Sequence, residues 1–327
     1  MGGAPGGAAG LRLLASTAFL FAAMLVVQEA AAQAELRPPG SPGATSGIFR
    51  VSSNLVMVPV SVTGPEGELI RYLSLKDFEL EEEEKSQPIA RVAEPGRSAL
   101  DLSLVLDVSG SMSGRFGFAL EAASAFVRSV IHDGDHVSIT SIGEEPRRAL
   151  ARATSPDQAL SALSSLLPER GPTAFYDAVV MAAQFPERPS ADDARRVQIV
   201  LSDGQENNSS NAGLTEALEA LQHADCVFYA INPIGANADL NRISLEGQRV
   251  LQALAAQTGG MAFIPQRTEE LPAIFDRIVA ELQAQYLLEY YSTVAQADGR
   301  FRRIRVSIPG RPDLRIRARQ GYYSRRS

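Results

Sequence analysis

The segment LVLDVSGSMSG, residues 104–114, sets one carboxylate and several hydroxyls directly after a strongly apolar run. Asp107 ends the apolar run, and Ser109 and Ser111 follow it at alternate positions. A carboxylate and two hydroxyls on one turn offer the oxygen ligands that Mg²⁺ prefers. The same serines could instead cap a helix that follows the turn. The segment alone leaves both interpretations open.

Other chemistries that use a serine-rich or glycine-rich turn do not fit this segment. Neither the phosphate-binding motif G-x-x-x-x-G-K-[ST] nor the dinucleotide motif G-x-G-x-x-G follows the apolar run. In GSMSG, Met112 occupies the position that a nucleophilic serine takes in G-x-S-x-G. An aspartyl-phosphate enzyme would need a second acid where Ser109 stands. A site for a hard cation is the remaining chemical interpretation.

Composition limits the classes of protein. The chain has 327 residues, of which 45% are hydrophobic, so it can bury a sizeable core. Its formal net charge of -7 argues against a general nucleic-acid binder, which needs a basic excess. Cys226 is the single cysteine, which excludes an intrachain disulfide and a multi-cysteine zinc site. We expect Cys226 to be a buried small hydrophobe.

The N-terminal segment predicts export. An apolar run from Leu13 to Val27 has the length of a signal-peptide core, and small residues follow it, with cleavage expected after Ala32 or Ala34. We therefore predict a signal peptide over 1–34, a flexible linker over 35–47, and a periplasmic or extracellular location. The alternative is an uncleaved membrane anchor, for which fifteen apolar residues are short.

Residues 98–284 alternate between apolar strands and amphipathic helices. This order predicts an α/β fold: a doubly wound, mostly parallel sheet with helices on both faces. Ligands of such sheets bind at the carboxyl ends of the strands. Asp107 and Asp203 each end an apolar strand, so we expect both at that edge. Asp177 is expected to lie on a helix surface or to brace a loop rather than to be a ligand. Glu206 is expected to lie on a mobile polar loop rather than to touch the water shell of the metal.

The flanking segments, 48–97 and 285–324, have the alternation of β-strands. We predict that they pair in a small β-sandwich into which the α/β domain is inserted. Pro59 indicates an edge strand, and the run Glu81–Glu84 a solvated hairpin tip. The basic face of the C-terminal strands is expected to lie near Glu79 and Glu81; the alternative is contact with an anionic surface such as lipid.

Three stretches together resemble the von Willebrand factor A domain. LVLDVSGSM is similar to its D-x-S-x-S element, RGPTAFYDAV to its threonine loop, and VQIVLSDGQEN to its second aspartate loop, all in family order. The resemblance covers about residues 99 to 284. It implies a metal-ion-dependent adhesion site that holds Mg²⁺ or Mn²⁺ through Asp107, Ser109, Ser111, Thr173 and Asp203. The whole chain also resembles exported acidobacterial proteins that carry this domain.

These observations lead to one functional hypothesis and two rivals. The hypothesis is an exported, non-enzymatic module that uses the metal to capture an acidic side chain of a protein partner, without nucleic acid and with membrane contact less favoured. The first rival is an envelope scaffold in which the metal is structural. The second is a metal-dependent hydrolase, which is disfavoured because no general base is evident beside the site.

Overall fold

A computed structural model describes Gly2 and residues 55–93, 98–184, 194–235, 242–294 and 298–324. Apart from Gly2, the predicted signal peptide and linker lie outside the described residues, and the predicted domain boundaries remain predictions. The chain divides into two units, 1–52 and 53–327, and the sheets, the helices and the candidate site all belong to the second. None of the helices within the described residues is long and apolar enough to span a membrane.

A six-stranded sheet forms the centre of the α/β region. Its strands are β5 (Leu100–Asp107), β6 (His136–Ile142), β7 (Arg147–Ala153), β8 (Arg195–Leu201), β9 (Cys226–Ile231) and β10 (Ala262–Phe263). They lie in the order β10-β9-β8-β5-β6-β7, and all neighbours are parallel except β7, which is antiparallel to β6. All eight residues of β5 are buried, because helices cover both faces of the sheet.

Six helices cover the sheet: α1 (Phe116–Val130), α2 (Pro156–Ser164), α3 (Phe175–Ala183), α4 (Leu214–His223), α5 (Arg242–Thr258) and α6 (Leu271–Ala284). One hydrophobic core holds apolar residues of α1, α2 and α6 on one face of the sheet, and a second holds those of α3, α4 and α5 on the other. The prediction of a doubly wound α/β fold is confirmed.

The flanking segments form two further four-stranded sheets. Their strands are β1 (Leu55–Thr63), β2 (Glu79–Glu82), β3 (Lys85–Gln87), β4 (Ile89–Ala93), β11 (Tyr286–Tyr291), β12 (Phe301–Ser307), β13 (Arg315–Ala318) and β14 (Gly321–Tyr323). One sheet has the order β13-β1-β11-β4 and the other β14-β12-β2-β3. Apolar residues of both sheets share one core, which makes a β-sandwich of N-terminal and C-terminal segments, as predicted.

Three local predictions were wrong. β7 was not predicted, because its sequence RRALARA lies on an exposed edge and lacks apolar alternation. β1 is an interior strand despite Pro59; its pairing with β13 begins only at Val60, so Pro59 has one neighbouring strand, β11. Glu82 is completely buried rather than solvated, and the hairpin tip is made by Glu83 and Glu84, which both have positive φ.

Candidate functional site

Three loops meet at the carboxyl edge of the central sheet. One follows β5 at Asp107, one leads through Thr173 into α3, and one follows β8 at Asp203. Parallel strands bring their carboxyl ends to one edge, so the topology places the loops after β5 and β8 together. The Thr173 loop follows a helix, and hydrogen bonds attach it to the loop after β8.

Asp107 is held in one orientation by two hydrogen bonds. It is 1% exposed; its Oδ1 accepts a bond of 2.9 Å from the Ser109 amide, and its Oδ2 one of 2.6 Å from the Ser202 hydroxyl. Burial raises the pKa of Asp107 to about 6, and the nearby Asp203 carboxyl adds to this, whereas the bonds from Ser109 and Ser202 oppose it. A nearby cation would relieve the unfavourable charge.

The two serines that follow Asp107 do not act as helix caps. Their hydroxyl oxygens lie 3.2 Å apart. Ser109 precedes a short 3₁₀ turn, Gly110–Met112, but its side chain makes no capping hydrogen bond. The residue before α1 is Arg115, so neither serine is at the start of that helix. The helix-cap interpretation of the cluster is therefore not supported, and both hydroxyls remain available as oxygen ligands.

Asp203 is also buried, and only one of its two carboxylate oxygens accepts a hydrogen bond from a backbone amide. Its side chain is 2% exposed, and Oδ1 accepts a hydrogen bond of 3.0 Å from the Gln205 amide. Its Oδ2 is buried and has no hydrogen-bond partner among the residues that the structure describes. Burial raises the pKa of Asp203, while the Gln205 amide and the Ser111 hydroxyl favour the ionised form. An unpartnered buried carboxylate oxygen is unfavourable unless something binds it.

Thr173 is buried and is tied to the loop that carries Asp203. Its amide donates a bond of 2.7 Å to the Asn207 side chain, and its carbonyl accepts bonds of 3.1 and 3.2 Å from the amides of Asn207 and Asn208. The second and third loops are therefore tied together by backbone and side-chain hydrogen bonds. Sequence reasoning did not identify Asn207 or Ser202 as supports of the site. Ser202 directly precedes Asp203, whereas nothing in the sequence singles out Asn207.

The two acids next to the proposed ligands are used within the loops. The Glu206 carboxylate accepts bonds from the Tyr176 amide at 3.0 Å and from the Ser209 amide at 2.7 Å. Asp177 accepts a bond of 3.0 Å from the Ser210 amide and so braces the same loop, which is one of the two roles predicted for it. Both side chains are thus occupied with backbone amides that shape the second aspartate loop.

Two glycines bring α5 against the Asp203 loop. A Cβ atom at Gly247 would lie 2.4 Å from the Asp203 carbonyl oxygen, and one at Gly204 would lie 2.5 Å from the Gly247 carbonyl oxygen. Gly204 also has φ of +75°, a backbone conformation that side chains disfavour. The first turns of α5 and the loop after β8 are therefore in backbone contact, which only glycine permits.

The oxygen set fits a hard divalent cation. No group of three or more histidine, cysteine, aspartate or glutamate side chains within the described part of the chain could hold a metal. What the sheet edge offers is two carboxylates and three hydroxyl side chains, the donors that suit Mg²⁺ and Mn²⁺ better than softer metals. The unpartnered Asp203 oxygen is the position that such an ion would satisfy.

Solved structures with a similar fold come from several sources. The conserved hypothetical protein BatB from Bacteroides thetaiotaomicron is 20% identical over 56% of this chain and 98% of that chain, with a TM-score of 0.43. A von Willebrand factor type A protein from Catenulispora acidiphila is 18% identical over 72% and 52%, with a TM-score of 0.47. Proximal thread matrix protein 1 from the mussel byssus, with a zinc-occupied MIDAS motif, is 17% identical over 60% and 48%, also with a TM-score of 0.47.

The family assignment comes from the sequence itself. No curated protein matches the chain. The narrower resemblance to exported acidobacterial proteins remains a prediction. The family model of the von Willebrand factor type A domain matches residues 101–277, more than half of the chain, and the chain therefore belongs to the von Willebrand factor type A domain family.

Proposed function

We propose that the chain is an exported, non-enzymatic binding module that captures an acidic side chain of a protein partner through a divalent metal. The metal, Mg²⁺ or Mn²⁺, is held by oxygen atoms of Asp107, Ser109, Ser111, Thr173 and Asp203. Export rests on the apolar segment from Leu13 to Val27, which lies outside the described residues. Membership of the von Willebrand factor type A domain family supports the metal-dependent part of the proposal.

The observation that carries this proposal is the buried, unpartnered Oδ2 of Asp203. Globular proteins rarely leave such an atom without a partner, because a lost hydrogen bond to a buried charged group destabilises the fold. Here the atom belongs to the same edge as Asp107 and the hydroxyl pair of Ser109 and Ser111. A cation at this position would give each of these oxygens a partner.

The charge of the site permits capture of a carboxylate. Only two carboxylates face the divalent cation and the three hydroxyl ligands add no charge, so the site has no excess negative charge that would repel a further carboxylate. When bound, the metal supplies a coordination position for an oxygen of the partner. A hydrolytic role is less favoured, because Glu206 and Asp177 are hydrogen-bonded to loop amides and are poorly placed to act as a general base.

The proposal is tested by thermal melts of the chain in EDTA and with increasing Mg²⁺ or Mn²⁺. A ligand that binds only the folded state stabilises it by about 2.7 kcal/mol at a hundredfold excess over Kd. We expect this stabilisation in the parent and in the surface control Asp313→Asn, and its loss in Asp203→Asn. Without metal, Asp203→Asn should be as stable as the parent or more so, because it removes a buried charge.

The outcomes separate the rival functions. Cooperative melting without any metal response in the parent would contradict the metal site. Metal-induced stabilisation together with partner capture that survives EDTA would instead favour the scaffold role. Turnover of an ester or phosphoester by the metal-loaded parent, but not by Asp203→Asn, would favour the hydrolase.

A further inference from the structure

Exposed apolar side chains are distributed unevenly over the described residues. Nine large hydrophobic residues are exposed, and four of them, Leu55, Tyr72, Leu75 and Tyr291, lie in the β-sandwich segments. The five exposed in the α/β region are Phe118, Leu167, Leu214, Ile243 and Leu245. We call these five residues the apolar rim.

The topology puts the whole apolar rim at the edge of the sheet that carries the candidate site. α1, α4 and α5 each follow a parallel strand, so each helix begins at the carboxyl edge. Phe118 lies in the first turn of α1, and Leu214 is the first residue of α4. Ile243 and Leu245 lie in the first turn of α5. Leu167 lies in the segment that leads from the end of α2 to Thr173.

The rim flanks the site on both faces of the sheet. Phe118 and Leu167 belong to the side covered by α1 and α2, and the other three belong to the side covered by α4 and α5. Two contacts attach rim segments to the site loops. The Glu169 amide donates a bond of 2.6 Å to the Val108 carbonyl, and the backbone at Gly247 abuts that of Asp203.

A single exposed apolar residue is common on protein surfaces. The presence of all five rim residues at the carboxyl edge of the central sheet, however, calls for an explanation. Within the described part of residues 98–284, no large hydrophobic residue is exposed at the opposite edge of the sheet. Phe118, Leu167 and Ile243 are 53%, 73% and 61% exposed, so each offers much apolar area to a partner. Hydrophobic patches with polar surroundings are typical of protein interaction sites.

Charge around the rim does not favour a strongly charged partner. Glu144 and Glu145 follow β6 at the same edge and are exposed, and so are the basic residues Arg170 and Arg242. Such a mixed set gives little net attraction for a run of like charges. The consistent chemical feature of this edge is therefore one oxygen site with exposed apolar side chains on the elements at either side of it.

We infer that the partner presents a single carboxylate flanked by bulky apolar side chains, which contact the apolar rim while the carboxylate reaches the metal. This inference rests on the proposed function and adds the chemistry of the residues on either side of the captured acid. The metal supplies the attachment point, and the rim supplies the selectivity between one acidic segment and another.

Peptides displayed on beads test the inference. One peptide carries a central Leu-Asp-Phe sequence, a second carries Ser-Asp-Ser, and a third has asparagine in place of the aspartate in the first. Dense display on beads compensates for the weakness of single contacts. With Mg²⁺ or Mn²⁺ we expect the chain to bind the first peptide about fivefold more tightly than the second, a ratio that partial burial of one apolar side chain can produce. In EDTA, neither aspartate peptide should bind. With metal, the asparagine peptide should not bind.

Rim variants identify the surface that gives the preference. In the combined variant Phe118→Ser, Leu167→Ser and Ile243→Ser, the ratio between the two aspartate peptides should fall below twofold. The matched control Tyr72→Ser removes an exposed aromatic residue of the sandwich and should keep the parent ratio. Metal-induced stabilisation should be unchanged in both variants, which shows that the site itself is intact.

The failure of this inference is distinguishable from that of the proposed function. Metal-dependent binding with equal affinity for both aspartate peptides, or a preference that survives in the rim variant, would overturn the inference and leave metal capture standing. Metal-induced stabilisation without binding of either peptide would contradict both. No metal-induced stabilisation at all would contradict the proposed metal site from which the inference starts.

Discussion

Two buried carboxylates of this molecule, Glu281 and Asp203, have surroundings that differ in kind. Glu281 on α6 is 1% exposed and accepts bonds from the Ser61 hydroxyl at 2.9 Å and the Tyr229 hydroxyl at 2.5 Å, besides an ion pair with Arg317. Asp203 is as deeply buried, yet one of its oxygens has no partner among the described residues. A carboxylate whose bonds are all supplied by the protein stabilises the fold, whereas one left incomplete is available to a ligand.

Glu281, Ser61, Tyr229 and Arg317 form what we call the Glu281 cluster. Its position explains why the protein supplies all the hydrogen-bond partners of this carboxylate. Its partners come from β1, β9 and β13, so it lies where the α/β region meets the sandwich. Arg317 extends the same contact by donating a bond of 3.1 Å to the Gly260 carbonyl. Burial raises the pKa of Tyr229 well above its usual range, and Glu281 adds to this, so Tyr229 stays a hydrogen-bond donor. The cluster joins the two regions through buried polar bonds.

The largest effect is expected from Glu281→Ala. Removing one partner of a buried ion pair leaves Arg317 and two hydroxyls without their acceptor, and such changes destabilise by about 3 to 5 kcal/mol. Denaturant unfolding should report this loss, while the control Asp276→Ala on the exposed face of the same helix should change little. The metal-induced stabilisation should persist in Glu281→Ala. Its disappearance would mean that the comparison between structural and ligand-binding acids is wrong.

The next effect concerns pH and applies to the metal-free protein. The folded pKa of Asp107 is about 6, above its usual value of 3.8, because the side chain is buried. The folded state therefore binds the proton more tightly, and its stability decreases as pH rises from about 4 to about 6, by up to about 3 kcal/mol. Unfolding in EDTA at several pH values, compared with Asp107→Asn, measures this contribution.

The variant isolates Asp107 from other groups that titrate in the same range. Asp107→Asn cannot ionise, so the difference between parent and variant should change with pH through this side chain and its interaction with the Asp203 carboxyl. We expect the variant to gain stability relative to the parent between pH 4 and pH 6. A constant difference would contradict the raised pKa, and a difference of the opposite sign would mean that the ionised form is favoured in the fold.

A smaller effect is expected from Gly247→Ala. Alanine usually stabilises a helix relative to glycine by up to about 1 kcal/mol. Here the new Cβ would lie 2.4 Å from the Asp203 carbonyl oxygen, so backbone must move. Overpacking of this kind destabilises by about 1 to 3 kcal/mol, which reverses the usual sign. Thermal melts should show both a lower melting temperature and a weaker response to metal.

A neighbouring position provides the control for this prediction. Gln248→Ala changes the next residue of α5, which is half-buried, without introducing an atom against the Asp203 loop. It should leave the metal response unchanged. A weaker response to metal in Gln248→Ala as well would mean that any change in α5 disturbs the site, and that the glycine contact is not special.

The difference between the two kinds of carboxylate also marks the limit of sequence-based prediction. Asp107 and Asp203 were placed correctly at the sheet edge, because each ends a continuous apolar run and parallel strands share an edge. Glu82 was predicted to be solvated, because its neighbours are acidic. Its burial depends on Tyr290 and Ser292, which donate bonds of 2.7 and 2.8 Å from a distant part of the chain.

Dependence on residues that are distant in sequence also explains why the residues that support the candidate site were not predicted. Asn207 holds Thr173 through a bond between two loops that are far apart in sequence, and no local pattern indicates it. β7 is an edge strand with few buried side chains, so it lacks the periodicity on which strand prediction depends. Local patterns thus predicted elements and strand ends, whereas buried polar partners required the tertiary structure.

The smallest effect is expected from Arg305→Ser on the surface of the sandwich. Arg305 lies opposite Glu81, as predicted, and the two side chains form an ion pair of 3.7 Å. The Arg305 side chain is 76% exposed, and exposed pairs contribute little because water and salt screen them. Denaturant unfolding should change by less than about 0.5 kcal/mol, and the difference should vanish in high salt.

This last variant also tests the predicted alternative of an anionic surface contact. Within residues 298–324, six of the eight arginines between positions 300 and 319 pair with an aspartate or glutamate. These six arginines pair with five carboxylates, because Arg300 and Arg302 share Asp298. More than half of the basic charge is thus offset within the protein, which weakens its attraction for a lipid surface. Binding to vesicles rich in anionic lipid should be weak in the parent and unchanged in Arg305→Ser. Strong, salt-sensitive binding that this substitution reduces would instead assign the basic strands a role of their own, independent of the metal.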